Sequence, residues 1–176
     1  GVSIVIMLVI MLVDYDVWAK LSPVFYGISI ILLIAVLFTK ARNGASSWFK
    51  IGAFTLQPGE LAKVAVILFT SSTIVKVQER GKFEINVFWK LCVTLLTVIF
   101  PVFLIILQPD YGTAAAYLVS LVLMLYVSGI DKKYIIVASI LVVVALPLAY
   151  FFVLPNHAKT RIDIFLNPES DPKGAG

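Results

Sequence analysis

The chain has 176 residues, of which 61% are hydrophobic and 14% are charged, and its formal net charge at pH 7 is +4. An average soluble domain has about 45–50% apolar and about 25% charged residues, so this composition excludes an ordinary soluble domain and predicts a membrane protein. A single cysteine, Cys92, and a single histidine, His157, exclude an internal disulfide and a metal centre built from several His or Cys ligands. Carboxylates could still hold a divalent cation, so such an ion remains open as a cofactor.

Six apolar runs follow one another, at about 1–13, 21–39, 58–75, 91–107, 111–130 and 134–154. The last five have the length that a bilayer span requires, and the first has it only if residues precede Gly1. Helices are the usual way to span a bilayer, because they satisfy their own backbone hydrogen bonds. We therefore predict an all-α, polytopic bundle of about six transmembrane helices, forming a single membrane domain over residues 1–176 that is truncated at both ends.

Prolines mark several of the predicted helix ends. Pro23, Pro58 and Pro109 stand at or near helix starts, where a missing backbone N–H is harmless. Pro101 and Pro147 lie inside apolar runs and are expected to kink them.

The connections alternate between two sides of the membrane. One side receives 14–20, 76–90 and 131–133, and the other receives 40–57, 109–110 and the tail from about residue 155. Basic residues number seven on the first side and six on the second, so the positive-inside rule does not choose between them. The connection at 40–57 carries three cations and no acid. If it faces outward, either it binds an anion or its neighbouring spans fix the topology.

Glu60 and Lys63 are the first candidate site, because they place two charges inside an apolar run. Three residues apart on a helix, they share a face and can form an ion pair. Charged side chains in membranes usually face the bundle interior or a water-filled cavity. The pair either locks this helix to its neighbours, or snorkels to the interface, or lines a cavity that meets a substrate head group.

Asp110 follows Pro109 at the start of a predicted helix, where a carboxylate suits the positive end of the helix dipole. A helix cap is the simpler interpretation of this residue. The small residues that follow, Gly112 and Ala114 to Ala116, permit close approach of another helix.

Two further segments carry candidate binding residues. Trp48 and Lys50 suit either an interfacial anchor or contact with a sugar or lipid head group. Arg161 lies in an amphipathic segment of the tail and is either solvated or a bidentate partner for phosphate. None of the usual nucleotide-binding, serine-hydrolase or zinc-protease motifs occurs, and no nucleic-acid partner is predicted.

Three motifs carry a resemblance to a known family: "NGASSWFKIGAFTLQPGELAK", "LQPDYGTA" and "RIDIFLNPESDPKGAG". In this order and spacing they resemble the SEDS family, which includes RodA, FtsW and SpoVE, and the tail leans towards RodA. The resemblance covers essentially the whole chain. It implies a fragment, from about the second span to the start of the large extracytoplasmic loop, of a roughly ten-span protein of the bacterial inner membrane.

The resemblance implies a peptidoglycan glycosyltransferase that polymerises lipid II and works with a class B penicillin-binding protein. It also implies that 40–57, Asp110 and the tail face outward, where lipid II presents its pyrophosphate. The positions that match the family's motifs, and that we therefore predict to bind substrate, are Trp48, Gln57, Glu60, Lys63, Asp110 and Arg161. Lys50, two residues after Trp48, is predicted to bind substrate as well. Where the family often has basic residues before the Trp, this chain has Ser46 and Ser47, so Lys50 or Arg42 would have to supply that charge.

The family's catalytic carboxylate lies in a Thr-Asp-Phe stretch that is expected beyond Gly176, so the catalytic residue is not among those present and this fragment alone is expected to be inactive. A polymerase is the first hypothesis. A lipid II flippase is the second, because proline-broken spans and buried charges also suit a translocation path. A non-catalytic scaffold for a penicillin-binding protein is the third.

Overall fold

The computed structural model describes residues 12–38, 49–51, 54–138, 140 and 159. These residues fall into two compact units, Gly1–Ile130 and Asp131–Gly176. The prediction of a single membrane domain stays a prediction.

The first helix of the first unit, α1, spans Tyr15–Leu37. It begins about six residues earlier than predicted, so the stretch 15–20 is helical and Pro23 lies inside the helix rather than near its start. The early start has a local cause. Asp14 precedes the helix and Asp16 lies in its first turn, where negative charge is stabilised by the helix dipole.

A short β-hairpin precedes the second helix, a feature that the all-α prediction did not include. Strand β1, Phe49–Ile51, pairs antiparallel with strand β2, Phe54–Leu56, and Lys50 lies opposite Thr55. Aromatic and β-branched residues favour strands, and the sequence between the strands is Gly52-Ala53.

Three more helices follow. Helix α2 spans Pro58–Gln78, α3 spans Phe88–Ile106 and α4 spans Tyr111–Ser128. Each coincides with a predicted apolar run to within a few residues. Pro58 occupies the first turn of α2, as expected, and Pro101 lies inside α3. The connection between α2 and α3 contains a 3₁₀ helix, Lys82–Asn86, that was not predicted.

Three of the helices, α1, α3 and α4, are long and apolar enough to cross a membrane. Helix α2 is not among them, and it carries Glu60, Lys63 and Lys76. Its buried residues are mostly small, including Ala62 and Ala65, so neighbouring helices can approach it closely. These features confirm the prediction of an α-helical membrane bundle.

Polar side chains connect the helices inside the bundle. The hydroxyl groups of Thr70 in α2 and Thr97 in α3 are 2.8 Å apart and buried. Ser22 in α1 donates to the hydroxyl of Ser72 in α2, at 3.3 Å. Between helices in lipid, such hydrogen bonds contribute about 0.6–2 kcal/mol each.

The second unit is described over 131–138 and at two further residues. Residues 132–138 are helical, and Lys133 Nζ lies 3.1 Å from Asp131 Oδ2 and over the ring of Tyr134. The hydrogen bond that Lys133 donates to Asp131 raises the pKa of Lys133 above its ordinary value. Most of the predicted run 134–154, and with it Pro147, lies outside the described residues, as does the run 1–13 apart from its last two residues.

Candidate functional site

A hydrogen-bonded cluster joins the start of α2 to the start of α4. Gln57 precedes α2, and its Nε2 donates to Asp110 Oδ2 at 2.6 Å. Asp110 also caps α4, because its Oδ1 accepts from the backbone N–H of Thr113 at 3.2 Å and its Oδ2 accepts from the Thr113 hydroxyl at 2.9 Å. Both carboxylate oxygens therefore have donors within the protein. We call Gln57, Asp110 and Thr113 the latch.

The packing beside the latch is close. A Cβ added to Gly59 would lie 3.2 Å from Thr113 Cγ2, so this position in α2 has little room for a side chain. Tyr117, buried one turn further along α4, donates its hydroxyl to the carbonyl of Gly59 at 2.7 Å. The close approach predicted for the glycine of α4 is found instead at the glycine of α2, since no described atom lies within 4 Å of a Cβ at Gly112.

The predicted ion pair is present on α2, one turn after the latch. Lys63 Nζ lies 2.9 Å from Glu60 Oε1 and 3.0 Å from Glu60 Oε2, which confirms the pairing that their spacing predicts. The side chain of Glu60 is 55% exposed and that of Lys63 is 25% exposed. Leu61 and Val64 are also exposed, so this face of α2 is not covered by the described part of the unit. In a membrane, such a face needs water or a polar neighbour beside it.

A second glutamine fixes the chain just before the latch. Gln108 is buried, and its Nε2 donates to the backbone carbonyl of Leu33 in α1 at 3.1 Å. The Gln-Pro-Asp motif thus contacts α1 through its first residue and α2 through its last. This contact places the latch at the end of the bundle where α1 ends and α2 begins.

The remaining predicted site residues are described only in part. Lys50 is placed by its backbone in strand β1, opposite Thr55. Trp48 and Arg161 lie outside the described residues. Gln57 and Asp110 therefore come together, Glu60 and Lys63 come together, and substrate contact by any of the seven residues stays a prediction.

This arrangement limits the chemistry that each carboxylate can perform. Asp110 holds three hydrogen bonds, two of them from side chains, so it is occupied with fixing α2 and α4. Glu60 is neutralised by Lys63 but remains open to its surroundings. Within the described ranges, no group of three or more His, Cys, Asp or Glu side chains could hold a metal ion.

Sequence reasoning missed the roles of Gly59 and Tyr117. A sequence signal for Gly59 was available, because it stands between Pro58 and Glu60 in the first turn of a predicted helix. A glycine at such a position can indicate close approach by another element. No sequence signal identified Tyr117, because an aromatic residue in an apolar run is ordinarily part of the core.

A protein-family model described as "Cell cycle protein", covering FtsW, RodA and SpoVE, matches residues 1–176. The chain belongs to this family. Curated relatives include the peptidoglycan glycosyltransferase MrdB of Escherichia coli K12, which is 32% identical over 183 aligned residues. The stage V sporulation protein E of Bacillus subtilis is 33% identical over 183 residues. Each alignment covers 100% of this chain, but only 46% and 48% of the relative, so the chain spans about half the length of these FtsW/RodA/SpoVE proteins.

Solved structures of the family have the same fold. A chain from a structure of a peptidoglycan synthase complex, which coordinates polymerization and crosslinking, aligns with a TM-score of 0.71 at 28% identity, over 92% of this chain and 46% of that one. The rod shape determining protein RodA of Thermus thermophilus aligns with a TM-score of 0.66 at 26% identity, over 81% of this chain and 46% of that one. The chain is therefore part of a multi-pass membrane protein of the FtsW/RodA/SpoVE family.

Proposed function

We propose that the full-length protein is a peptidoglycan glycosyltransferase that polymerises lipid II into glycan strands. The match of the family model to every residue of the chain carries this proposal, together with relatives that are named peptidoglycan glycosyltransferases. In the proposed reaction, the 4-hydroxyl of one disaccharide attacks the anomeric carbon of another, and undecaprenyl pyrophosphate leaves.

In this proposal, the pair of Glu60 and Lys63 lines a water-filled cavity that receives the lipid head group. The exposure of the pair on a face of α2 that the described residues leave uncovered supports this role, because a pair that only locked two described helices together would be enclosed by them. The two charges neutralise each other in the empty cavity and offer both a donor and an acceptor to a polar substrate.

The latch holds the entrance of this cavity in shape. Gln57 connects the hairpin directly to Asp110, so strand β2 and the start of α4 are held together. Through strand β1, this connection also sets the backbone position of Lys50. Lys50, Trp48 and Arg161 are then the proposed contacts for the pyrophosphate and sugar, as the resemblance to the family implies.

The general base is proposed to be a carboxylate outside this chain. A base must reach the attacking hydroxyl within hydrogen-bond distance. Asp110 already accepts from Gln57 and Thr113 through both oxygens, which supports a structural role for it rather than a catalytic one.

The partner is proposed to be a class B penicillin-binding protein, and the location to be the bacterial inner membrane. The structural neighbour from a peptidoglycan synthase complex supports this partnership. In such a pair, one protein supplies polymerisation and the other supplies crosslinking.

The experiment that tests the proposal is polymerisation of purified lipid II by the full-length protein and by its Glu60→Gln and Lys63→Gln variants. We expect each variant to lose activity by about tenfold or more, since about 1.4 kcal/mol of lost transition-state stabilisation corresponds to a factor of ten. The matched controls are Glu84→Gln and Lys90→Gln, which remove the same charges from another ion pair of the unit.

Wild-type protein without any polymerase activity, with its partner present, would contradict the proposed reaction. Full activity of both α2 variants, with folding intact, would contradict the proposed cavity but leave the reaction in place.

A further inference from the structure

The connection between α2 and α3 is held in one conformation by the bundle itself. Gln78 Nε2 donates to the carbonyls of Lys82, at 2.6 Å, and of Ser128, at 2.7 Å. Ile85 is fully buried, and Lys90 Nζ lies 2.5 Å from Glu84 Oε2. These contacts fix the backbone of the connection from the inside. Its outward-facing side chains are therefore presented in a defined arrangement.

Three large aromatic side chains point outward from this fixed backbone. Phe83, Phe88 and Trp89 are 73%, 64% and 76% exposed, and the rings of Phe88 and Trp89 pack edge to face with centroids 5.9 Å apart. Helix α3, one of the candidate spans, begins at Phe88. The rings therefore lie at the level where a span enters the membrane, which is where aromatic side chains meet lipid head groups.

Two cations of the same connection form no ion pair within the described part of the chain. Arg80 and Lys82 are exposed, and neither forms an ion pair with any described residue. The stem of Lys82 lies over Gly129, where a Cβ would come within 3.1 Å of Lys82 Cε. Lys90 neutralises Glu84, which leaves Glu79 as the one acid of the connection without an ion pair in the described ranges. The uncompensated charge is therefore positive.

We propose that Arg80, Lys82, Phe83, Phe88 and Trp89 form a binding site for an anionic phospholipid. The guanidinium and ammonium groups contact the lipid phosphate, and the three rings contact the glycerol region and the upper acyl chains. The site is amphipathic, because aromatic rings and cations occur together in one connection at the end of a membrane span. A phospholipid is amphipathic in the same way, so this combination favours it as the ligand. The cations select the negative charge of the lipid, and the aromatic rings favour a position at the membrane interface.

Trp89 provides a direct probe of this site. The full-length protein, with Trp18→Phe, Trp48→Phe and any tryptophan outside this chain replaced, is reconstituted in vesicles of phosphatidylcholine. Brominated phosphatidylglycerol or brominated phosphatidylcholine is then added at matched mole fractions, and quenching of Trp89 fluorescence gives the relative binding constant of each lipid. We expect a preference for the anionic lipid, with each of the two cations contributing roughly fivefold.

The variant R80Q/K82Q is expected to lose this preference, whereas the matched control K20Q/K132Q, with the same loss of charge at exposed positions elsewhere, is expected to keep it. Equal quenching by both lipids in the protein with both cations intact overturns the proposal. An unchanged preference in R80Q/K82Q also overturns it, and so does an equal loss in the control, which would indicate attraction by net charge alone. None of these outcomes depends on lipid II polymerisation.

Discussion

At the scale of single residues, the amide of Gln57 and the carboxylate of Asp110 perform a task that neither could perform alone. The amide gives the carboxylate a donor at 2.6 Å, and the carboxylate in turn caps α4 through Thr113. A charged acceptor makes this one of the stronger hydrogen bonds of the unit. Substituting either residue removes this hydrogen bond from the other.

A double-mutant cycle measures this dependence. We expect Asp110→Ala to lower the free energy of unfolding by about 1 kcal/mol for the lost cap, and by roughly 1 kcal/mol more for the lost hydrogen bond from Gln57, whose amide keeps Thr113 Oγ1 as an acceptor at 3.4 Å. Gln57→Ala and the double variant complete the cycle, and unfolding in detergent is the measurement.

The coupling energy between the two positions is expected to be about 1 kcal/mol. Thr113→Ser is the control, because it keeps both the hydroxyl and the backbone N–H that bind Asp110. A coupling energy below about 0.3 kcal/mol would show that the two residues act independently.

The sequence identified these residues as candidates, but it did not predict all of the contacts between them. Asp110 after Pro109 indicated a helix cap, and the cap is confirmed. Glu60 and Lys63 were predictable as a pair, because both stand on one helix and its period is known. The hydrogen bond from Gln57 to Asp110 was not predictable, because it joins residues 53 positions apart and depends on how α2 and α4 pack.

At the scale of elements, the contact between α2 and α4 depends on the absence of a side chain. Gly59→Ala would place a Cβ 3.2 Å from Thr113 Cγ2, so the two helices would have to separate slightly. This strain opposes the gain of about 1 kcal/mol in helix propensity that alanine brings. We expect the variant to be less stable than wild type, as measured by its thermal unfolding midpoint.

Two further variants separate packing from propensity. Gly59→Ala combined with Thr113→Ser removes the opposing methyl group and is expected to recover the lost stability. Gly112→Ala makes the same substitution in the first turn of α4, where no described atom lies within 4 Å, and is expected to be neutral or stabilising. If Gly59→Ala alone stabilises the protein as much as Gly112→Ala does, the close contact is not a constraint.

The ion pair of Glu84 and Lys90, in the connection between α2 and α3, is expected to make the stability of the protein depend on pH. The hydrogen bond from Lys90 lowers the pKa of Glu84 below its ordinary value of 4.5. A lowered pKa in the folded protein stabilises it at pH values above the ordinary pKa, and this stability is lost as the pH falls through the lowered pKa. We expect Glu84→Gln to lower the unfolding midpoint at pH 7, and the difference from wild type to disappear only below about pH 4.5.

The control for this experiment is Glu79→Gln, because Glu79 is exposed and forms no ion pair within the part of the chain that the structure describes. Its effect on the midpoint is expected to be small at every pH. A difference for Glu84→Gln that vanishes well above pH 4.5 would show that the pKa of Glu84 is not lowered.

Helix positions followed from the apolar runs, whereas helix ends and short elements did not. The runs at 58–75, 91–107 and 111–130 correspond to α2, α3 and α4 within a few residues. The start of α1 was misplaced because polar residues such as Asp14 and Asp16 were assigned to a loop, although they stabilise a helix start. The hairpin and the 3₁₀ helix were missed because neither is long enough to produce a periodic pattern.

At the scale of the whole molecule, the parallel helices α2 and α4 define two ends of the unit Gly1–Ile130. Gln57 and Asp110 lie at one end, and Gln78 and Ser128 lie at the other. These contacts agree with the alternation of loops that the apolar runs predict. Their assignment to the outer and cytoplasmic faces stays a prediction from the family resemblance.

Cysteine labelling of the full-length protein in intact and permeabilised cells tests that assignment. In a background with Cys92→Ser, and any other cysteine replaced, we expect Thr55→Cys to react with an impermeant reagent in intact cells and Glu79→Cys to react only after permeabilisation. Both positions are exposed, so burial does not limit either reaction. The reversed pattern would contradict the orientation.

Leu61→Cys, beside the ion pair and also exposed, extends the experiment to the proposed cavity. Labelling from the outer face alone is expected for a polymerase, which needs access only to that side. Labelling from both faces would favour the flippase hypothesis.

Helix α2 is fastened to α4 at both of its ends by the uncharged amides of Gln57 and Gln78, through hydrogen bonds of 2.6 and 2.7 Å. Because the two hydrogen bonds lie at opposite ends of α2, a large displacement of α2 relative to α4 would have to break both of them. Neither amide titrates, so a change of pH does not remove the donor of either hydrogen bond. The two fastenings therefore favour movement of α2 and α4 together, as one unit, over movement of either helix alone.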